Sequence, residues 1–316
     1  MVDLELRRRR PLSRHQPRSY AVRREIRKGL VDLLQTLQES KTPRYDRVVL
    51  VAHSLGAFLA YDAIAYLWGL NNSKTVHDGR DVKVLPGLRE VEEAATNLLE
   101  SRQSNSSASA GLVEDYQRGQ RKLWKGIRAQ GNPWLITDFV SVGTPMYFAD
   151  QLLHGKGRRS FDARIERREL PTCPPHNDED PMNKIHQGTP CDFSWEKKTW
   201  ENTPNGKREE VIRRVLYEGA PFAVVRWTNV YFPAELGLFG DWFGGPLARL
   251  FSPGIRDVKV IGNTRGHPET TWLRHRRMPG VAHAYYFKFA NDDSPDSATT
   301  AIRDGMNLAS TEWLRA

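Results

Sequence analysis

Residues Val48 to Tyr61, VVLVAHSLGAFLAY, present one serine in a setting that suits nucleophilic chemistry. An apolar run, typical of a strand buried on both faces, leads directly through Ser54 into a helix-forming segment. A sharp strand-to-helix turn exposes a serine hydroxyl at the end of a parallel sheet. Because the turn is strained and tightly packed, small residues are expected two positions before and after the serine, as Ala52 and Gly56 are. Ser54 is the first candidate nucleophile; alternatively, it only caps the helix.

The hydroxyl of Ser54 needs a base that takes its proton and a carboxylate that orients the base. For a serine on such a turn, the chain order is Ser, then Asp or Glu, then His. His283, in MPGVAHAYYF, lies past the last predicted strand and before the closing helix, so it is the predicted base. His267 and His275, in an Arg-rich stretch, are its alternatives.

The candidate carboxylate is Asp241, in the glycine-rich segment GLFGDWFGGPL that follows a predicted strand. Glu235, Asp257 and Asp150 are the alternative candidates for the acid. Asp241 could instead have only a structural role, as a turn aspartate that caps local N–H groups.

Negative charge on a tetrahedral intermediate needs backbone N–H donors, and the residue after the nucleophile, Leu55, supplies one. A second donor normally follows an earlier strand, but no such strand precedes the helical stripe at 22–38. The sequence therefore favours a fold whose amino-terminal part is missing, with an open sheet edge beside the Val48 strand. The alternative is that a different segment of the chain supplies the second donor.

The remaining pattern predicts an α/β fold with a mostly parallel sheet and helices on both faces. Residues 151–220 are predicted to be mostly polar loop, and residues 70–132 a helical insertion with a Ser-rich hinge at 101–110. The sequence leaves open whether this insertion covers the site or is a partly disordered surface excursion. The predicted elements are a helix at 22–38, strands at 47–52, 134–144, 223–232 and 258–262, helices at 88–100 and 112–129, and a closing helix at 302–314.

Charge is unevenly placed along the 316 residues, whose formal net charge is +9. Residues 1–47 hold 13 of the 47 Lys and Arg residues but 6 of the 38 Asp and Glu residues. Residues 1–18 are predicted to be a disordered basic arm before a domain at 19–316, and Arg7, Arg8, Arg9 and Arg10 to allow contact with an anionic membrane surface. No nucleic-acid motif, membrane span or signal-peptide core is present, so a cytoplasmic location and no nucleic-acid partner are predicted.

The two cysteines, Cys173 and Cys191, lie in a Pro-rich segment where they either form a disulfide or remain thiols. His176, Asp178, Asp180 and His186 lie between them, but without the paired spacing of a zinc site. No metal and no organic cofactor are predicted.

At these residues the chain resembles the α/β-hydrolase superfamily, and within it uncharacterised bacterial and fungal lipase-like esterases. The resemblance covers about a third of the chain, in YDRVVLVAHSLGAFLAYD, PWLITDFVSVGTPMYFADQLL, LPTCPP, VVRWTNVYF and GDWFGGPL. It implies a serine hydrolase that cleaves carboxylic esters of acyl lipids or other apolar acyl groups, with Ser54, Asp241 and His283 as the triad. Two departures are the absent oxyanion segment and the Ala-Tyr-Tyr run after His283, where such enzymes have a polar residue and Tyr-Trp.

Two other functional hypotheses are compatible with the sequence. One is a catalytically silent α/β-hydrolase scaffold that acts as an interaction module, and the other is a binder of anionic surfaces through the basic arm. Oligomeric state is not encoded in any pattern of the sequence.

Overall fold

Four parallel strands form the central sheet in the computed structural model of the protein. The strands are β1 (Val48–His53), β2 (Ile136–Val142), β3 (Ser194–Asn202), β4 (Arg208–Leu216), β5 (Arg226–Tyr231) and β6 (Arg256–Lys259). The sheet has the order β1-β2-β5-β6 with every pair parallel, whereas β3 and β4 form a separate antiparallel hairpin. The predicted α/β architecture with a mostly parallel sheet is confirmed.

Helices connect the strands of the sheet, as parallel pairing requires. They are α1 (Pro17–Glu39), α2 (Leu55–Asn71), α3 (Leu88–Gln103), α4 (Ala110–Ala129), α5 (Ala149–Leu152), α6 (Arg158–Glu166), α7 (Ala248–Phe251) and α8 (Ala298–Met306). The structure describes residues 17–41, 44–74, 85–103, 110–152, 158–176, 192–202, 205–234, 240–260, 282–287 and 297–310. Arg7 to Arg10, Cys191, His267 and His275 lie outside these ranges.

Each face of the sheet is covered by its own hydrophobic core, because successive side chains of a strand point to opposite faces. Phe139 and Trp227 lie on the face that belongs to the larger core, together with α2. Val140 and Val230 lie on the other face, against α8. Helices therefore cover both faces, as predicted.

Strand β1 lies at an edge of the sheet, since it pairs with β2 and with no other strand of the described ranges. Val51 is on the same face as Val140, which α8 covers, yet it is 38% exposed. The prediction of a strand buried on both faces is wrong for β1, because α8 contacts β2 and β5 rather than the edge strand.

The helical pair α3–α4 packs at the amino-terminal ends of the strands. Buried Gln120 on α4 donates to the carbonyls of Phe222 and Val225, just before β5, at 2.7 and 2.9 Å. Trp124 donates to the carbonyl of Trp134, just before β2, at 3.2 Å. Both predicted helices of this region are confirmed. They lie at the end of the sheet opposite to Ser54, so they do not cover the site.

Residues 151–220 depart most from their predicted loop. They contain α6 and the β3–β4 hairpin, whose cross-strand pairs include Lys198 with Glu210 at 3.3 Å and Glu196 with Arg214 at 3.6 Å. Charged residues along both strands gave the segment a polar, loop-like composition. The hairpin also buries apolar side chains where β4 ends, since Val215 and Leu216 are 5% and 1% exposed. Smaller differences concern the late elements: β5 begins at Arg226, β6 at Arg256 and α8 at Ala298.

Cys173 has a buried thiol in the structure, and burial raises its pKa above the usual value. Cys191, the other cysteine of the possible disulfide, lies outside the described residues, so the disulfide stays an open alternative. The surrounding residues, 170–175, are buried rather than looped out, with the Cys173 N–H donating to the carbonyl of Phe251 at 2.7 Å.

Buried Glu92 on α3 accepts the backbone N–H of Phe193 at 3.0 Å, and burial raises its pKa from near 4.5 to about 7. Between these values the folded protein binds the proton more tightly than the unfolded chain. The free energy of unfolding therefore falls as pH rises from 4.5 to 7, by up to about 3 kcal/mol for this shift.

We expect Glu92→Gln to remove that fall, because glutamine keeps the acceptor for Phe193 and has no proton to lose. Urea unfolding between pH 4.5 and 8 should show that the free energy of unfolding of the variant rises relative to that of the wild type as pH rises. Glu93→Gln, on the exposed side of the same helix, is the control and should follow the wild-type slope. If the free energies of unfolding of wild type and Glu92→Gln differed by the same amount at every pH, the raised pKa assigned to Glu92 would be contradicted.

Candidate active site

Ser54 follows the last residue of β1 and precedes the first residue of α2, in a strained backbone conformation. Its φ of 55° and ψ of −129° lie in a region that residues with a side chain seldom adopt. The strain is held by the Ser54 N–H, which donates to the Val142 carbonyl at 2.9 Å, and by the Ser54 carbonyl, which accepts from the Ala57 N–H at 3.1 Å. The hydroxyl is thereby presented at the carboxyl-terminal edge of the sheet.

The imidazole of His283 lies between the side chains of Ser54 and Asp241. Its Nε2 is 2.8 Å from Ser54 Oγ, and its Nδ1 is 3.0 Å from Asp241 Oδ2. A carboxylate accepts hydrogen bonds, so the ring hydrogen is assigned to Nδ1 and Nε2 accepts from the serine hydroxyl. The structure thus brings together the three side chains that the sequence singled out, 187 and 229 residues apart along the chain.

The carboxylate of Asp241 is fully buried and receives three hydrogen bonds. The Phe243 N–H donates to Oδ1 at 2.9 Å, and the Tyr286 hydroxyl and His283 Nδ1 donate to Oδ2 at 2.9 and 3.0 Å. Tyr286 in turn accepts the Phe232 N–H at 2.9 Å, and its burial beside Asp241 raises its pKa well above the usual value. The phenol therefore stays protonated and is fixed as a donor.

A buried polar chain between β2, β5 and β6 positions the loop that carries Asp241. Asn229 on β5 accepts from the Ser141 hydroxyl at 3.0 Å and donates to the Gly245 carbonyl at 2.9 Å and to Asp257 at 2.7 Å. Asp257 also accepts the backbone N–H groups of Leu247 and Ala248, both at 2.9 Å. The loop is thus held at Gly245 and at the two residues Leu247 and Ala248 that follow its glycines.

Asp257, an alternative for the acid, has this structural role, so its side chain is occupied away from His283. Burial raises its pKa, although the three hydrogen bonds oppose that effect. Asp150 lies on α5, and the acid that meets His283 Nδ1 is Asp241. Glu235 lies outside the described residues.

Two glycines leave the space that Asp241 and Tyr286 occupy. Gly143, after β2, has φ of +50°, and a Cβ there would lie 2.8 Å from Asp241 Oδ2 and closer still to the Tyr286 ring. A Cβ on Gly244 would lie 3.0 Å from Asp241 Oδ2 and 3.1 Å from the Tyr286 hydroxyl. By contrast, a Cβ on Gly56 would meet no atom of the described residues within 4 Å. An alanine would therefore fit at position 56, and the expectation of a small residue there stays a prediction.

Leu55 opens α2, a helix of 17 residues. Backbone N–H groups in the first turn of a helix have no intrahelical acceptor, and the helix dipole makes this end attractive to negative charge. The Leu55 N–H, on the residue next to Ser54, can thus donate a hydrogen bond to a negatively charged oxygen.

Four exposed apolar residues contact rings of the site or adjoin its polar residues in sequence. Phe243 is 50% exposed, with its ring centroid 5.2 Å from that of His283, and Phe287 is 52% exposed and 5.7 Å from the His53 ring. Leu55 and Trp242, next in sequence to Ser54 and Asp241, are 45% and 46% exposed. We call Leu55, Trp242, Phe243 and Phe287 the apolar rim.

Sequence reasoning missed Tyr286 and His53 as parts of the site. The hydrogen bond from Tyr286 to Asp241 has no sequence signature. The aromatic run after His283 was the available signal, since a buried tyrosine hydroxyl needs a partner.

Comparison of the chain with protein-family models, with curated proteins and with solved structures found no match. Among the described residues, no group of three or more His, Cys, Asp or Glu side chains is arranged to hold a metal ion; of the cysteine-flanked candidates, Asp178, Asp180 and His186 lie outside those residues. Within the same ranges, no helix combines the length and the apolar character needed to cross a bilayer.

We expect Gly143→Ala to lower the free energy of unfolding by about 1–3 kcal/mol or more, because it combines a positive φ with a clash against Asp241 and Tyr286. Gly69→Ala, on α2 where a Cβ meets no atom within 4 Å, is the matched control and should be neutral or stabilise by up to about 1 kcal/mol. Thermal unfolding followed by circular dichroism measures both. Equal effects of the two changes would contradict the tight packing around Asp241.

Proposed function

We propose that this protein is a serine hydrolase of α/β-hydrolase type that cleaves carboxylic esters through an acyl-enzyme intermediate. The observation that carries the proposal is the continuous hydrogen-bonded chain from Ser54 Oγ through His283 to buried Asp241. A nucleophile, a base within hydrogen-bond reach of it and an acid that orients the base are the parts that acyl transfer requires. The strained turn that presents Ser54, at the carboxyl-terminal edge of a parallel sheet, supports the same assignment.

In the first half-reaction Ser54 Oγ attacks the ester carbonyl while His283 Nε2 takes the hydroxyl proton. The imidazolium that forms is stabilised by Asp241, which accepts from Nδ1. His283 then gives the proton to the alcohol oxygen, the C–O bond breaks and the acyl group stays on Ser54. In the second half-reaction, water loses a proton to His283 and attacks the acyl carbon. His283 then gives that proton to Ser54 Oγ, the bond between Oγ and the acyl carbon breaks, the carboxylic acid is released and free Ser54 is regenerated.

The Leu55 N–H is the proposed donor to the oxyanion of each tetrahedral intermediate. It adjoins the nucleophile and belongs to the positive end of α2. One such donor changes turnover by roughly 10²- to 10³-fold in serine hydrolases. A second donor from an additional strand on the open edge of β1 stays a prediction.

The apolar rim supports esters with an apolar acyl group as the substrate class. Four exposed apolar side chains around a polar site leave surface that is costly to hydrate, and an acyl chain that covers it gains about 0.8 kcal/mol for each methylene removed from water. Phe243 is a rim residue whose ring contacts the His283 ring, with 5.2 Å between centroids.

Labelling with a fluorophosphonate probe tests the proposed chemistry, because the probe reacts with activated serines. We expect the wild type to be labelled once, at Ser54, and Ser54→Ala not to be labelled. Ser73→Ala, an exposed serine in the turn after α2, is the control and should be labelled like the wild type. Folded wild-type protein that resists the probe would contradict the proposal and favour a catalytically silent scaffold.

Asp241→Asn should lower the labelling rate and any esterase kcat by about 10³- to 10⁴-fold, since an amide no longer holds His283 in the tautomer that accepts the serine proton. The rate of probe incorporation measures the loss. A change below tenfold would show that Asp241 does not orient the base.

Phe243→Ser should lower kcat/KM for an octanoyl p-nitrophenyl ester by about tenfold, but that for the acetyl ester by less than threefold, because only the longer chain reaches the rim. Trp200→Ser is the control, since Trp200 is a 64% exposed aromatic residue on the β3–β4 hairpin. An equal fall in kcat/KM for both esters would show that the apolar rim does not bind the acyl chain.

A further inference from the structure

His53, the last residue of β1, connects the two halves of the site. It is covalently joined to Ser54, and its ring Nε2 is 2.9 Å from the backbone carbonyl oxygen of His283. The two imidazole rings have their centroids 4.6 Å apart with an interplanar angle of 33°. Tyr286 and Phe287 also contact the His53 ring, each at 5.7 Å between centroids. The side chain is therefore held by contacts with one segment, residues 282–287.

The hydrogen bond fixes which nitrogen of His53 carries its hydrogen. A backbone carbonyl only accepts, so Nε2 is the donor and Nδ1 has the free lone pair in the neutral ring. Burial and the neighbouring His283 lower the pKa of His53, against the opposing effects of the carbonyl and of Asp241. His53 is thus neutral at neutral pH and adds no positive charge beside His283.

The segment that carries the base is short, so contacts with the rest of the molecule hold it in place. His283 belongs to a single 3₁₀ turn, Ala282–Ala284, which provides little rigidity by itself. Ala282 and Tyr286 are buried in the core on the α8 side of the sheet, and Tyr286 also donates to Asp241 and accepts from Phe232. The hydrogen bond from His53 differs from these contacts because it is made to the backbone carbonyl of His283 itself.

We propose that His53 is a positioning residue, which donates Nε2–H to the His283 carbonyl and so keeps the base at the distance of proton transfer from Ser54. The inference rests on the proposed hydrolase function, since it assigns His53 a part in that reaction. His53 touches no reacting atom; it acts through His283. Misplacement of a base by about 1 Å can cost on the order of 10²-fold in rate, so a single backbone hydrogen bond at this place matters.

Three substitutions separate the hydrogen bond from the ring. His53→Gln retains an N–H donor at nearly the position of Nε2, His53→Phe retains an aromatic ring without a donor, and His53→Ala removes both. The measurement is fluorophosphonate inactivation, resolved into the limiting rate and the half-saturating probe concentration. We expect the limiting rate of the Ala and Phe variants to fall about 10- to 100-fold with half-saturation changed less than threefold, and the Gln variant to recover most of the loss.

The outcome that overturns the proposal is a Phe variant as fast as the wild type, a Gln variant as slow as Ala, or equal rates in all three. A second measurement stands apart from activity: long-range ¹H–¹⁵N spectra of histidine-labelled wild type, with His53→Gln for assignment. His53 should be neutral at pH 7 with its hydrogen on Nε2, and a ring that is charged or protonated on Nδ1 alone would overturn the proposal. Failure of the hydrolase function is distinguishable, because wild type would then resist the probe whatever the His53 spectrum shows.

Discussion

The buried carboxylate of Asp241 is the group on which the arrangement of the site depends. It is fully buried, and a buried carboxylate is costly unless donors satisfy it. Those donors come from its own loop and from two residues of the 282–287 segment, His283 and Tyr286. The need to satisfy one carboxylate thus fixes both the orientation of the imidazole and the docking of the segment that carries it.

The parallel sheet explains why residues so distant in sequence meet. β1, β2 and β5 end at the same edge, so Ser54, Gly143 and the loop after Phe232 leave the sheet side by side. At the amino-terminal ends of the strands, buried Asp138 accepts hydrogen bonds from Arg226 at 2.6 Å and from Arg47 at 3.2 Å. Arg47 also donates to the Asn307 carbonyl, just after α8, at 2.6 Å. Polar networks at both ends of the strands hold the strands in one register. The proposed chemistry takes place at the carboxyl-terminal ends.

The sequence was sufficient for the strand–turn–helix around Ser54 and for the choice of Asp241 and His283, because chain order and glycine placement constrain them strongly. It was insufficient for His53 and Tyr286. His53 bonds a backbone carbonyl 230 residues away and Tyr286 bonds a carboxylate 45 residues away, and neither bond leaves a periodicity or spacing in the sequence. The β3–β4 hairpin was missed because its many charged residues resemble loop composition. The exposure of Val51 was missed because a strand's place in the sheet order is a property of tertiary structure.

A crystal structure of the protein after reaction with a small fluorophosphonate tests the central claim most directly. The account predicts continuous density from Ser54 Oγ to phosphorus, a phosphoryl oxygen about 3 Å from the Leu55 nitrogen, and His283 still bonded to Asp241. Phosphorus on another side chain, or an unmodified Ser54 whose hydroxyl points away from His283, would contradict it.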